Sequence, residues 1–139
     1  MKIDNNADLK KLTTFKMGGT ASKLYTPETE DELINLIQDK HPQYFIGGGS
    51  NIIINTRVFD CVVNLREFNS TIKNNGNGIY IVGASVRLQK LIKAINDDGY
   101  GGIEYLYSVP GLVGGAVVMN AGRGKSFNKC ISYYIEGVK

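Results

Sequence analysis

Ser108-Val109-Pro110-Gly111-Leu112-Val113-Gly114-Gly115-Ala116-Val117-Val118-Met119-Asn120-Ala121-Gly122 places four glycines and two alanines in fifteen consecutive residues, more small residues than a turn requires. Pro110 fixes its own φ and pushes Val109 to extended geometry. Gly111 is then free to adopt a conformation closed to other residues. Gly114-Gly115-Ala116 offers a small-residue face on which backbone can lie against a flat ring or a diphosphate. A buried, closely packed helix start is the competing reading. Residues 99–124 hold 8 of the chain's 17 glycines, so close backbone approach is concentrated there.

A second glycine cluster lies upstream, in Ile46-Gly47-Gly48-Gly49-Ser50-Asn51, directly after the apolar run Tyr44-Phe45-Ile46. Three glycines remove every Cβ from one stretch of backbone, so a phosphate can approach its N–H groups. Ser50 and Asn51 add a hydroxyl and an amide. A tight turn between strands explains the same residues. No Lys-Ser/Thr pair closes the loop and the spacing is not GxGxxG, so it is neither a P-loop nor a dinucleotide fingerprint.

Around these segments the pattern alternates. Residues 1–20 read as an irregular arm ending in Thr13-Thr14-Phe15-Lys16-Met17-Gly18-Gly19, with a flexible double glycine. Ala21 to Tyr25 predicts a short strand. Thr29-Glu30-Asp31-Glu32 is a capping-box pattern, and Leu33, Ile34, Leu36 and Ile37 follow at helical spacing, so residues 30–39 are expected to be an amphipathic helix. Tyr44 to Ile46 predicts a buried strand, and Ile52-Ile53-Ile54, Cys61 to Leu65 and Ile79 to Val82 predict further strands. Asn74-Asn75-Gly76-Asn77-Gly78 is a turn cluster. Ser85 is the expected cap of a second helix carrying Leu88, Leu91, Ile92 and Ile95 on one face, stopped by Asp97-Asp98-Gly99. Ile131 to Val138 predicts a last strand. The order fits an α+β or α/β layered domain.

Composition bounds the function. With 42% hydrophobic and 21% charged residues, the chain has the make-up of one soluble domain. The net charge of +3 is scattered, as Lys10, Lys11, Lys16 and Lys23 show, and no basic block interleaves with aromatics, so nucleic acid is not an expected partner. Cys61 and Cys130 form no CxxC pair, and His41 is the single histidine, so no metal site is expected; buried free thiols in a reducing cytosol are the simplest reading. The start, MKIDNNADLKK, has no apolar run, and no stretch reaches the length of a membrane span, which places the expected location in the cytoplasm.

Thr14-Phe15-x-x-Gly18-Gly19, Gly47 to Asn51, Gly83-Ala84 and Pro110-Gly111-x-x-Gly114-Gly115-Ala116-x-x-Met119-Asn120-Ala121-Gly122, in this order and spacing, resemble the N-terminal half of the UDP-N-acetylenolpyruvoylglucosamine reductase (UDP-N-acetylmuramate dehydrogenase) family. The resemblance runs from about residue 5 to residue 138. It implies an α+β, FAD-binding fold of the vanillyl-alcohol oxidase type, whose two small α+β subdomains (about residues 1–70 and 71–139, the second incomplete) hold the flavin between them. It assigns the FAD diphosphate to Gly47, Gly48, Gly49, Ser50 and Asn51. Pro110, Gly111, Gly114, Gly115 and Ala116 would lie along the diphosphate, ribityl or ring portion, with Asn120 in the same motif and Thr14 and Gly83 as secondary candidates. The family motif continues Asn-Ala-Gly-Ala-Tyr-Gly, whereas this chain has Arg123-Gly124-Lys125 after Gly122.

In the family, NADPH reduces FAD, which passes hydride to the enolpyruvyl double bond of a UDP-sugar in peptidoglycan precursor synthesis. The resemblance places the arginine, serine and glutamate of that chemistry, and the substrate-binding domain, in sequence beyond this chain. No catalytic residue is therefore assigned here, Glu104 and Arg123 included. NADPH and UDP-sugar are expected partners only if a C-terminal half is supplied, and self-association is the expected consequence of uncovered apolar surface. The competing readings are a stand-alone FAD-binding module and a degenerate remnant without cofactor. Intact glycine motifs argue against the remnant.

Overall fold

The computed structural model describes residues 1–42, 44–55, 58–122 and 129–139. The chain forms two compact units, Met1–Phe68 and Asn69–Lys139. Helices and strands are mixed in an α+β arrangement.

In the first unit, β1 (Lys2–Asp8) pairs antiparallel with β2 (Thr20–Thr26). β2 and β3 (Tyr44–Ile46) each run parallel to β4 (Val58–Asn64), giving the sheet order β1-β2-β4-β3. Successive residues of a strand face opposite sides of a sheet. Leu24 and Val62, partners in register, therefore bury with Leu9 and Ile46, while their neighbours Tyr25 and Val63 bury with Leu36 of α1 (Glu30–Lys40). The central strands are covered on both faces, which is why they carry apolar runs rather than alternation.

α1 forms where its cap demands it. Thr29 Oγ1 accepts the Glu32 N–H at 3.2 Å, and the Glu32 carboxylate accepts the Glu28 N–H at 2.8 Å. His41, at φ 45°, closes the other end with its N–H on the Ile37 carbonyl.

The second unit begins with the hairpin of β5 (Ile72–Asn74) and β6 (Tyr80–Val82), turned at Gly76, Asn77 and Gly78, all at positive φ. α2 (Leu88–Asp97) and α3 (Val113–Val118) pack with the 3-10 turns Glu104–Leu106 and Ile131–Tyr134 around Leu88, Leu91, Ile92, Ile103, Leu106, Val113 and Ile131. Asp98 Oδ2 accepts from Tyr80 Oη at 2.6 Å and from Asn74 Nδ2 at 2.8 Å, tying the end of α2 to the hairpin. Holding the neutral phenol against that carboxylate pushes the Tyr80 pKa up to about 12.

Several expectations are corrected. Residues 2–8 are a strand, not an irregular arm; as an edge strand β1 leaves most of its side chains exposed, so no apolar alternation marks it. Ile52 to Ile54 form no strand; Ile52 and Ile54 pack singly against the first core while Ile53 is 72% exposed. Tyr44 and Phe45 of β3 are exposed, and only Ile46 is buried. Ser85 does not cap α2: its Oγ accepts the Asn69 N–H at 3.2 Å, and Arg87 precedes the helix in an extended bridge to Leu112. Ile131 to Tyr134 is a 3-10 turn, not a strand, because Ile131 alone points into the core while Tyr133 and Tyr134 stay exposed. Cys61 and Cys130 are free but only half-buried.

Candidate functional site

The first glycine loop leaves β3 after the buried Ile46, whose carbonyl accepts the Leu65 N–H at 2.8 Å. Gly49 takes φ +67°, and a Cβ there would stand 1.9 Å from the Leu12 carbonyl oxygen. No other residue type fits without moving backbone. The loop's carbonyls are turned to the protein. Gly49 O accepts the Thr14 N–H at 2.9 Å, and Gly48 O accepts from the Arg66 guanidinium at 3.2 Å. The N–H groups of Gly48, Gly49 and Asn51 have no acceptor among the described residues, and Ser50 and Asn51 continue the turn.

Thr13 to Gly19 is docked against this loop, through the Thr14 N–H on the Gly49 carbonyl. Thr13 is buried and its Oγ1 donates to the Met17 carbonyl at 2.8 Å, while a Cβ on Gly18 would meet the Lys10 N at 2.8 Å. The Leu9 N–H on the Gly19 carbonyl, at 3.0 Å, closes the segment.

In the second unit, Gly83 is wedged beside Asn69. A Cβ there would lie 2.2 Å from Asn69 Oδ1, the atom that accepts the Thr71 N–H and hydroxyl. Pro110 and Gly111, the latter at φ 131°, lead into α3, and the Gly111 carbonyl accepts the Leu88 N–H at 3.2 Å. Gln89 Nε2 holds the preceding loop by donating to the Tyr107 and Val109 carbonyls.

The small residues of α3 then diverge. Gly114 donates its N–H to the Ala84 carbonyl at 2.8 Å, and a Cβ on it would sit 2.9 Å from Ala84 Cβ. Ala116 is buried in the core. Gly115 is exposed, a Cβ on it would meet nothing within 4 Å, and its N–H has no acceptor among the described residues. Asn120 follows the helix at φ 44°, where its Oδ1 accepts the Ser132 N–H at 3.3 Å.

Arg123 to Lys125, where the motif departs, lie outside the described residues. Glu104 supports its own loop, its Oε2 accepting the Gly102 N–H at 2.7 Å. Sequence reasoning does not single out Arg66, because a lone cation after a strand looks like ordinary surface. Its guanidinium ties the Leu12 carbonyl, at 3.1 Å, to that of Gly48.

The family model for the FAD binding domain matches residues 21–139. The chain belongs to the FAD-binding domain family. Its cofactor is FAD. Within the family it is similar to the UDP-N-acetylenolpyruvoylglucosamine reductase of Alkaliphilus oremlandii, 37% identical over 82% of this chain and 39% of that protein. The reductase of Prochlorococcus marinus is 34% identical over 99% of this chain and 48% of its own length. A crystal structure of the reductase from Thermus caldophilus superposes with a TM-score of 0.69 at 30% identity, covering 88% of this chain and 44% of that one. The chain thus spans less than half the length of these relatives.

The residues present fit such a cofactor. A diphosphate is recognised by backbone N–H groups with no internal acceptor and no Cβ in the way. The first loop supplies the former at Gly48, Gly49 and Asn51, and Gly115 supplies both.

Proposed function

We propose that this FAD-binding domain holds the cofactor through backbone N–H groups of Gly47 to Asn51 and through the small-residue stretch Pro110 to Ala116, with Gly83, Asn120 and Thr14 shaping those segments. The observation that carries this reading is Gly115. Gly83 and Gly114 are glycine because their own unit leaves no room for a side chain, whereas nothing among the described residues requires glycine at 115. Close approach of a ligand does.

The domain serves, on this reading, as the flavin-holding part of a UDP-N-acetylenolpyruvoylglucosamine reductase acting in the cytoplasm in peptidoglycan precursor synthesis. The similarity to reductases from several bacteria supports it. When bound, the flavin would supply hydride transfer, with NADPH as the reductant and a UDP-sugar enolpyruvate as the acceptor. This chain's residues bind and orient the cofactor; the substrate chemistry belongs to residues outside it. Exposed Val118, Met119 and Tyr133 support the further expectation that the isolated chain self-associates.

The test is the visible absorption spectrum of the purified protein after incubation with FAD and desalting, followed by addition of NADPH. A retained flavin spectrum establishes binding. Bleaching by NADPH and turnover of the enolpyruvyl substrate by the chain alone would overturn the assignment of that chemistry to residues elsewhere. A colourless protein would overturn the binding reading itself.

A further inference from the structure

The Arg66 side chain touches both the first glycine loop and the turn packed beneath it. Asn64 fixes its backbone, with Oδ1 accepting the Arg66 N–H at 3.1 Å. The residue is half-buried, its guanidinium donates to the Leu12 and Gly48 carbonyls, and it has no carboxylate at ion-pair distance among the described residues. Two consequences follow from elementary electrostatics. A carbonyl engaged by a cation stays turned toward it, and with the Thr14 N–H on the next carbonyl this fixes the orientation of two successive peptide units. Asp4, Asp8 and Glu67 line the same depression as Arg66, with Lys2 and Lys11 beside them, but none of these carboxylates is at ion-pair distance from the guanidinium, so its charge is only partly offset and still favours an anion beside the loop.

We propose that Arg66 is the positioning residue of the Gly47–Asn51 loop, and that its charge contributes the salt-sensitive part of this domain's affinity for the phosphates of FAD. The inference rests on the FAD-binding reading of that loop. Arg66 acts through Gly48: it holds that carbonyl inward, so the Gly49 N–H of the same peptide unit stays turned away from it and available. Lysine at this position would keep the charge but lose the planar fork that reaches two carbonyls at once.

The test uses the full chain and the variants Arg66→Gln and Arg66→Lys. FAD affinity is measured by flavin fluorescence at low and high KCl. Backbone hydrogen exchange over residues 47–51 is measured without flavin, and a thermal melt accompanies each variant. R66Q is expected to weaken FAD binding by about tenfold or more at low salt, to flatten the dependence on KCl, and to speed exchange in the loop. R66K should keep the salt dependence and recover part of the affinity. If R66Q fails to fold, R66K decides: lower affinity with faster loop exchange supports the proposal, and unchanged values of both overturn it. Loss of affinity in R66Q with an unchanged salt dependence would reduce Arg66 to a structural prop and overturn the electrostatic role. A wild-type protein that binds no FAD overturns the binding reading instead. Loop exchange then still decides whether Arg66 holds Gly48.

Discussion

Gly49 and Gly115 lie in different units and are glycine for opposite reasons. At Gly49 the chain itself forbids a side chain: φ is positive, and the Leu12 carbonyl occupies the place of a Cβ. At Gly115 the described residues leave that place open. The fold dictates the first glycine; on the proposed reading, a bound cofactor accounts for the second. A glycine motif therefore mixes packing and recognition, and only the space around each Cα separates them. Gly83 and Gly114 fall with Gly49, although motif resemblance alone assigns all four to the cofactor.

The comparison can be broken by substitution. Gly49→Ala is expected to have the largest effect, a loss of about 3 kcal/mol or more, from the left-handed φ plus a backbone clash. Urea unfolding would measure it, and a stability near wild type would show that the loop relaxes easily. Gly83→Ala and Gly114→Ala should each cost about 1–3 kcal/mol through collision with Asn69 and Ala84. FAD affinity lost in these two would report on folding as much as on contact, so neither is a clean probe of the site. Gly115→Ala should run the other way. An exposed helical glycine replaced by alanine gains about 0.5–1 kcal/mol, while a ligand lying on that backbone is pushed off. A raised melting temperature together with weaker FAD binding is the expected signature, and weaker binding with a lowered melting temperature would place Gly115 among the packing glycines.

The smallest effect concerns the scaffold behind the second segment. The Tyr80 phenol donates to Asp98, and its pKa is raised to about 12. The neutral form is the one favoured by folding, so this contribution is present below the ordinary tyrosine value near 10 and fades as pH rises through about 12. Ultraviolet titration of phenolate should show Tyr80 ionising late, beside a Tyr105 raised by burial, and Tyr80 alone should return toward its ordinary value in Asp98→Ala. FAD affinity should not follow it; if it did, the hairpin would be part of the binding apparatus rather than its support.

What was legible in the sequence had a local cause. α1 announced itself through Thr29 and Glu32, and α2 through Leu88, Leu91 and Ile92 on one face, because caps and periodicity act within a few residues. β1 was hidden because an edge strand with exposed side chains need not alternate. Ile52 to Ile54 misled because β-branched residues also fill a core one at a time from irregular backbone. Ser85 has the chemistry of a cap, but its hydroxyl is taken by Asn69, sixteen residues away in sequence. The glycine segments were visible as motifs. The division among their glycines was not, because it depends on Leu12, Asn69 and Ala84, partners that only folding brings near. Arg66 was invisible for the same reason.

The most direct test of the central claim is FAD retention by Gly115→Val beside wild type, read as the flavin absorption that survives desalting, with a thermal melt of each protein. A yellow wild type and a colourless variant with a melting temperature no lower are the predicted result. A Gly115→Val protein that keeps its flavin as firmly as wild type would contradict it.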